Sequence, residues 1–513
     1  MTKPHSSRPS RPRREYKQGP KKNALIGLKA GDFFEGDVKI VRKVKPGPVI
    51  FQISDGSGNF DAVTRDSDYK AGDVVRLSGD VNARAGRMQI EIRNITPSEL
   101  DFDTIVEQKS QPVRTDFSIS SDRLDKMRTV MVRIAARIRK AIFNNQPVLI
   151  RHHNDSDGIN SGIAMESAIR MLMVKIGIKP EYALYRSPSK APFYEVADVF
   201  RDIVQAKRFE NFDQGSPLIL ILDNGSTPED VFGMKTMHAM GKDVIVIDHH
   251  NPVQLENGKT SVCPYLLDHV NPYMFGLDSQ TCAGMLSYEI ARFICEDFEN
   301  KLIPAVAGIS DRCRIPETDA YIERTGKSRE ELGKIGIAID FTAYHMRHQP
   351  GKGLFEELYT NEQLVTSINE LVKEGEDTQL QSTLPYLRTQ KIKGVTLAHI
   401  DLEKYTLRFT YPNPGRVIGL IHDTVTREND NQPVLSLGCL SDMVIVRANQ
   451  PILPVQTIID RLQKALPEAN VDGGGHEMAG AIKFVSAHFS AVMEQIKGFL
   501  NEREIEVEAE TEY

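Results

Sequence analysis

The folds open to this sequence are limited above all by a series of short apolar segments, which are separated by stretches of helical periodicity. Segments 147–150, 218–222 and 244–247 are rich in Val, Ile and Leu and have the length of single strands. Such alternation is typical of a doubly wound parallel sheet in an α/β fold. A fourth apolar segment, 305–309, is predicted as a further strand and is followed closely by Asp311. The carboxyl ends of such strands meet at one edge, where open α/β sheets bind their ligands.

Acids and histidines follow each predicted strand. In chain order they are His153, Asp155, Asp157, Asp223, Asp248, His249, His250 and Asp311. Carboxylate and imidazole ligands suit Mn²⁺ or Mg²⁺ better than a metal that prefers thiolates. Two such ions can activate a water and neutralise a phosphate during in-line attack, with a shared carboxylate holding them about 3.5–4 Å apart. Asp223 is the natural bridge.

Each of these motifs also has a structural interpretation when it is taken alone. The pair Asp155 and Asp157 is compatible with a turn or a calcium loop, and Asp223 with a helix cap. Adjacent His249 and His250 are compatible with a purely structural role. The joint occurrence of these motifs, each after a predicted strand, favours a metal site.

The segment that precedes this α/β region is predicted to be all-β. About five short strands fill some 65 residues between turn-forming clusters, at 33–45, 49–54, 59–64, 74–81 and 88–95. Strand number and length are those of an OB-type barrel, a fold that often binds single strands. Phe51 and Phe60 are candidates either for base stacking or for the barrel core. A generic protein-docking barrel is the alternative.

Composition narrows the class of protein. Hydrophobic residues make up 40% and charged residues 26%, as in ordinary soluble proteins, and no apolar run approaches the ~18 residues of a membrane span. The five cysteines form no CxxC pair, which favours a reduced, cytoplasmic protein without structural zinc. Residues 1–22 are basic and 501–513 acidic, and both are predicted to be disordered. The remaining body is acidic, so any contact with nucleic acid requires a local groove.

Together these motifs resemble the DHH phosphoesterase superfamily, named for the Asp-His-His triplet that stands here at 248–250. The family's first, second and fourth motifs are matched by His-Asn-Asp-Ser-Asp-Gly at 153–158, Asp-Asn-Gly at 223–225 and Gly-Ile-Ser-Asp at 308–311. Its C-terminal DHHA1 domain is matched by Gly-Gly-Gly-His at 473–476. The resemblance covers roughly residues 125–500 and points to RecJ-like exonucleases of archaeal type.

The resemblance implies a role for each matched residue. One metal ion would be held by His153, Asp155 and Asp223, and a second by Asp157, Asp223, His249 and Asp311. His250 would contact the scissile phosphate, and Asp248 would orient the histidines. A phosphate-binding loop would be formed by Gly473, Gly474, Gly475 and His476, with Arg447 as an added cation. His152, His345 and His348 match no family role and are expected to be structural or surface residues.

The implied organisation has six parts. They are a basic tail (1–24), an OB-type barrel (25–100), a DHH catalytic domain (118–350), a helical linker (351–388), a DHHA1 domain (389–500) and an acidic tail (501–513). Core and barrel together would form a cleft that threads one strand. The leading function is a two-metal phosphodiesterase that trims single-stranded DNA or RNA, with replication or repair proteins as further partners and no membrane. Hydrolysis of short oligoribonucleotides or cyclic dinucleotides, and a non-catalytic replication scaffold, are the alternatives.

Overall fold

The computed structural model describes residues 20–44, 48–84, 86–189, 191, 193–212, 214–253, 255–407, 410–430, 432–476 and 478–502. Most of each predicted disordered tail therefore lies outside the described residues. Three sheets organise the chain in sequence order: an N-terminal barrel, a central parallel sheet and a C-terminal mixed sheet. Within the described ranges, no helix has the length and apolar character needed to cross a membrane.

The N-terminal sheet is a closed, OB-like barrel. Its strands are β1 (Lys21–Lys22), β2 (Phe33–Val44), β3 (Val49–Ser54), β4 (Asn59–Thr64), β5 (Val74–Arg84) and β6 (Arg87–Pro97). The sheet order is β1-β2-β3-β4-β6-β5, and additional pairing of β2 with β5 closes the barrel. Phe51 is 0% exposed and belongs to the barrel core, so it is not available for base stacking. Phe60 packs half-buried against the same core.

The central domain alternates helices with the strands of a parallel sheet. Its elements are α1 (Phe102–Ser110), α2 (Asp122–Phe143), β7 (Val148–His152), α3 (Ser156–Lys175), α4 (Pro180–Ala183), β8 (Leu184–Pro188), α5 (Val196–Asn211), β9 (Leu218–Leu222), α6 (Val231–Ala239), β10 (Val244–Ile247), β11 (Asp268–Val270), α7 (Ala283–Ile294), α8 (Leu302–Ser310), α9 (Pro316–Thr325) and α10 (Arg329–Met346). The strand order is β8-β7-β9-β10-β11, and every adjacent pair is parallel.

Both faces of this sheet are buried, which explains the continuous apolar strands. Leu218, Leu220 and Leu222 of β9 point into one core, whereas Ile219 and Ile221 point into the core on the opposite face. The predicted doubly wound fold is therefore confirmed. Because β8 lies on one side of β7 and β9 on the other, the strand order reverses between β7 and β9, and such switch points form the ligand crevice of open α/β sheets.

The fourth predicted strand, 305–309, is wrong, because these residues lie in helix α8. A short apolar run cannot be assigned to strand or buried helix by periodicity alone. In the structure this segment packs closely against helix α7. A Cβ added at Gly284 of α7 would lie only 2.4 Å from the Cβ of Ala307. Asp311 is therefore the C-cap of a helix and does not follow a strand.

The C-terminal part of the chain begins with two helices and continues with a domain that is built on a mixed sheet. Its elements are α11 (Leu354–Glu357), α12 (Glu362–Thr383), β12 (Arg388–Ile392), β13 (Val395–Asp401), α13 (Leu402–Tyr405), α14 (Pro414–Glu428), β14 (Val434–Cys439), β15 (Met443–Ala448), α15 (Val455–Ala465), β16 (Asp472–His476), β17 (Ala479–Lys483) and α16 (Phe489–Asn501). The strand order is β12-β13-β14-β15-β17-β16. Strands β13 and β14 are parallel, and the other neighbours are antiparallel.

The glycine run, predicted to form a loop, lies in strand β16, which pairs antiparallel with β17. Its predicted role in binding phosphate stays a prediction. Gly475 has φ 140°, and a Cβ there would lie 2.4 Å from the carbonyl oxygen of Ala479 on the partner strand. A Cβ added at Gly473 would likewise lie 2.2 Å from the carbonyl oxygen of Ala481. The glycines are thus required for the close approach of two backbones.

We expect Gly475→Ala to lower the free energy of unfolding by about 1–3 kcal/mol, since the added methyl group must displace strand β17. Urea denaturation measures this. Gly498→Ala in α16 of the same domain is the matched control, because no atom lies within 4 Å of its added Cβ and a helical alanine is favourable. Equal stability of the two variants would contradict the role assigned to the glycine run.

Candidate metal centre and cleft

The backbone places three of the predicted residues side by side at the carboxyl edge of the central sheet. The N–H of His153 donates to the carbonyl of Leu222 (3.1 Å), and the N–H of Asp223 donates to that of Ile247 (2.9 Å). The N–H of Asp248 donates in the same way to strand β11. Each strand ladder thus continues one residue past the strand, which aligns the three side chains across the switch point.

Asp223 lies at the centre of this edge. It is 1% exposed, and its backbone has φ 59°, a conformation that costs a non-glycine residue free energy. Its Oδ1 lies 3.2 Å from Nε2 of His249, and its Oδ2 lies 3.4 Å from Nδ1 of His153. Neither oxygen accepts a well-formed hydrogen bond from the described residues. A buried carboxylate without such bonds is unfavourable, and a bound cation would compensate it.

A first group that can hold a cation consists of His153, Asp155 and Asp223. Nδ1 of His153 lies 2.9 Å from Oδ2 of Asp155. The other oxygen of Asp155 caps helix α3 by accepting from the N–H of Gly158 at 3.0 Å. Glycine is required at 158, because an added Cβ would lie 2.4 Å from the carbonyl oxygen of His153.

A second group consists of Asp223, His249 and His250. Nδ1 of His249 lies 2.7 Å from the carbonyl oxygen of Ser279, so this nitrogen carries the proton and donates it, which leaves Nε2 facing Asp223. Asp248 organises both histidines: its Oδ1 accepts from the N–H groups of His249 (2.8 Å) and His250 (3.2 Å) and lies 2.8 Å from Nδ1 of His250.

Asp157 and Asp311, predicted with His249 for the second ion, lie at the margin of this group. Oδ2 of Asp157 is 3.7 Å from Nε2 of His249, and Oδ2 of Asp311 is 3.7 Å from its Nδ1. The carboxylate of Asp157 also accepts from the N–H groups of Ala283 and Gly284, each at 2.9 Å, at the start of α7. The predicted ligands therefore all lie at one edge of the sheet. His250, which was predicted to contact the phosphate and not to hold an ion, belongs to the second group together with Asp223 and His249.

The crowding of charges shifts the pKa values at this edge. Burial lowers the pKa of His153, but the carboxylates of Asp155 and Asp223 outweigh it and hold that pKa well above the usual value. The pKa of His249 is likewise held well above its usual value by the surrounding carboxylates, against burial. Burial raises the pKa of Asp157, and repulsion from Asp223 raises it further. The raised pKa values indicate that carboxylates and imidazoles are packed closely around a point of high negative charge.

The metal centre opens into a cleft of about 1740 Å³ between the central and C-terminal domains. The central domain contributes Arg312, Arg314 and Arg347 to its wall, and the C-terminal domain contributes Arg416, Arg427 and Arg447. Burial, with repulsion from Arg312, lowers the pKa of Arg447 to about 10, which keeps it charged at neutral pH. Gly473, Gly474 and Gly475 do not line the cleft, and the backbone of His476 ends strand β16.

The barrel lies at the opposite edge of the central sheet. Asn59 of β4 donates its N–H to the carbonyl of Ile176 (2.7 Å), the C-cap of α3. Helix α3 starts at the metal centre, and its 20 residues span about 30 Å. None of the barrel residues that the structure describes lines the cleft. The expectation that core and barrel form the cleft is therefore wrong, and the C-terminal domain supplies the second wall.

Sequence reasoning missed Asp340, on helix α10. Its Oδ1 accepts from the N–H of Ser156 at 2.7 Å, beside Asp155, and burial raises its pKa to about 7. It lies outside every motif and reaches the cleft only through the packing of α10 against α3. Of the histidines without a family role, His152 is buried and His345 is exposed, as expected for structural or surface residues. His348 lines the cleft, with Nδ1 3.0 Å from the carbonyl oxygen of Ser189.

Comparisons with known proteins agree with this geometry. Residues 147–309 match the family model described as DHH family, N-terminal domain. The chain is 35% identical over 492 residues to uncharacterized protein MJ1198 of Methanocaldococcus jannaschii, covering 86% of this chain and 65% of that protein. The chain thus spans slightly less than two thirds of the length of that relative.

Two solved structures share the fold. The DHH domain of a protein described as a member of a family of ribosomal proteins is 34% identical, with a TM-score of 0.75, over 78% of this chain and 97% of that one. RecJ from Thermus thermophilus in complex with Mn²⁺ is 16% identical, with a TM-score of 0.51, over 79% of this chain and 60% of that one.

Proposed function

This chain belongs to the DHH family, and from that premise we propose that it is a metal-dependent phosphodiesterase that shortens single-stranded DNA or RNA from an end. The observation that carries the proposal is Asp223, a buried carboxylate that belongs to both candidate metal groups and makes no well-formed hydrogen bond with the described residues. The cleft walls add six arginines beside it, which suits a polyanionic substrate.

The ligand chemistry fits two divalent ions, Mn²⁺ or Mg²⁺. His153, Asp155 and Asp223 would hold one ion, and Asp223, His249, Asp157 and Asp311 the other. When bound, such a pair lowers the pKa of a coordinated water and neutralises charge on the phosphate. Oxygen and imidazole donors without a thiolate match these ions, and Asp223, whose oxygens accept no well-formed hydrogen bond from the described residues, would be a ligand to both.

His250 is proposed to contact the scissile phosphate. Burial lowers its pKa, but the adjacent carboxylate of Asp248 outweighs this and raises the pKa above its usual value. Asp248 holds Nδ1 of this ring, so Nε2–H is the group that would donate to a phosphate oxygen. Asp248 is thus a positioning residue for both histidines. Arg447 and Arg416 would contact the strand from the opposite wall.

A second candidate, hydrolysis of short oligoribonucleotides or cyclic dinucleotides, is favoured by the position of the barrel. The barrel docks about 30 Å from the candidate metal centre, so a substrate of a few nucleotides would not reach it. Such a substrate would be bound by the cleft alone. The non-catalytic scaffold is the weaker candidate, because the two residue groups that could hold a cation favour a metal-dependent enzyme. If the chain shortens single-stranded nucleic acid, we further propose that it acts in DNA repair. Its partners would then be replication or repair proteins, and its location would be the cytoplasm.

The test uses the purified chain with Mn²⁺ and end-labelled single-stranded DNA and RNA. One set contains a few nucleotides, and a second is several times longer than the roughly 4–16 nucleotides that an OB fold binds. Progressive shortening of the long strands is the expected result, abolished by EDTA. Cleavage of the short set alone would select the second candidate. No metal-dependent turnover of either set would overturn both.

A further inference from the structure

Three of the non-glycine residues with a left-handed backbone conformation line the cleft. Arg312 (φ 57°), Arg347 (φ 48°) and His348 (φ 66°) are non-glycine residues in the left-handed region, and all three line the cleft. This conformation brings Cβ too close to the backbone for most residue types and is rare outside glycine and asparagine. Strain of this kind persists where the surrounding structure imposes it, and it clusters at functional sites.

The two arginines end two neighbouring helices. Arg347 is the C-cap of α10, and Arg312 follows Asp311, the C-cap of α8, while α8 and α10 pack against each other. Helices that end in the left-handed conformation normally use glycine there, because glycine has no Cβ. A cation stabilises the negative end of a helix, but one placed within the last helical turn does so without this strain. Helix stability alone therefore does not account for arginine at both positions.

The two arginines lie at different distances from the candidate metal centre. Arg312 directly follows Asp311, whose Oδ2 is 3.7 Å from the His249 ring. Arg347 stands seven residues after Asp340 on the same helix, about 10 Å along its axis from the carboxylate that bonds Ser156. Both side chains are mostly exposed, and Arg312 reaches across to Asp423 of the C-terminal domain at 3.6 Å. The central wall of the cleft thus carries one cation beside the metal centre and one further out.

We infer that Arg312 and Arg347 are substrate-binding residues that hold the phosphodiester backbone of the strand against the central wall of the cleft. This inference rests on the proposed function for the identity of the polyanion, single-stranded nucleic acid. The strained helix ends present each guanidinium toward the cleft, and arginine binds phosphate through two parallel hydrogen bonds. Backbone contacts of this kind strengthen binding without selecting a base sequence.

The test measures binding rather than cleavage. The probe is a labelled single-stranded DNA of about 12 nucleotides, within the range that single-strand binding domains occupy, titrated in EDTA so that it stays intact. For Arg347→Gly we expect affinity to fall about 10-fold, as for the loss of one charge-assisted hydrogen-bonded contact. The slope of log affinity against log salt should become shallower by about 0.7, the value for one phosphate contact on a single strand. The urea midpoint should rise, because glycine relieves the strain.

Arg347→Asn is a second variant, since asparagine tolerates the left-handed conformation and removes the charge. The double variant with Arg312→Asn should change the slope by about 1.4, twice the single value. Lys393→Gly is the matched control: Lys393 also has positive φ (43°), lies in the turn between β12 and β13 and does not line the cleft. It should gain stability with unchanged affinity and slope.

Unchanged affinity and salt slope in the Arg347 variants would overturn the inference and leave these arginines as helix ends. The outcome is separable from that of the proposed function. A wild-type chain that binds the strand with the predicted arginine dependence but does not cleave it with Mn²⁺ would refute the nuclease and support the binding wall. Cleavage with no effect of the arginine variants on binding would do the reverse.

Discussion

Asp223→Asn is expected to abolish metal-dependent hydrolysis, with kcat reduced about 10³-fold or more. Asp223 belongs to both candidate metal groups, so its loss removes a ligand from each. Asparagine keeps the shape of the side chain but offers one neutral oxygen in place of two charged ones. Metal ions contribute several kcal/mol of charge stabilisation to such reactions, which corresponds to the expected rate loss. The labelled strands used to test the proposed function measure it.

A binding measurement separates loss of metal from loss of chemistry. Mn²⁺ at about 100 times its Kd should raise the free energy of unfolding of the wild-type chain by about 2.7 kcal/mol for each ion bound, and Asp223→Asn should lose most of this. The matched control is Asp319→Asn in helix α9, where the carboxylate is 76% exposed and pairs with Arg329. Full Mn²⁺ stabilisation of Asp223→Asn would contradict the assignment of Asp223 as the bridging ligand.

The doubly wound fold was predictable because the sheet is buried on both faces. Strands β9 and β10 coincide with the predicted segments 218–222 and 244–247, since fully buried strands are uniformly apolar and end where polar residues begin. The segment 305–309 is equally apolar but is helical. Its conformation depends on the contact between Ala307 and Gly284, and this pairing of distant helices leaves no local pattern.

The same distinction applies to the site. The residues of the DHH motifs lie close together because parallel strands bring their carboxyl ends to one edge, a rule that needs only the strand positions. Asp340 escaped prediction because it reaches Ser156 from a helix 184 residues further along the chain. The docking of the barrel was also beyond prediction, because Asn59 bonds the carbonyl of Ile176 through its backbone N–H and its side-chain amide, and no sequence pattern links two residues 117 positions apart. The glycine run was recognised, but its conformation depends on strand β17.

The pH dependence of stability should reverse when metal binds. His153 and His249 have pKa values held above the usual value of about 6.5 by neighbouring carboxylates, against burial. Such groups stabilise the folded chain fully below pH 6.5, and this stability is lost as the pH rises through the folded-state pKa. Burial raises the pKa of Asp311 to about 6 and of Asp340 to about 7, which acts in the same direction. Burial lowers the pKa values of His152, His269, His399 and His422, and these groups act in the opposite direction. They are fewer than the groups with raised pKa values, so the metal-free chain should be less stable at pH 8 than at pH 6.

Mn²⁺ requires the same histidines and carboxylates without their protons, so its affinity rises with pH over this range. At a fixed Mn²⁺ concentration, stabilisation by the metal should therefore be small at pH 6 and large at pH 8, opposite to the trend of the metal-free chain. Urea denaturation at both pH values, in EDTA and in Mn²⁺, measures the four free energies. Asp223→Asn should show the same pH dependence in EDTA and in Mn²⁺, because it loses the ligand shared by both ions. This dependence should be weaker than that of the metal-free wild type, because Asp223 helps to raise the pKa values of His153 and His249. A metal-free chain that gains stability from pH 6 to pH 8 would contradict the net effect assigned here to the groups with raised pKa values.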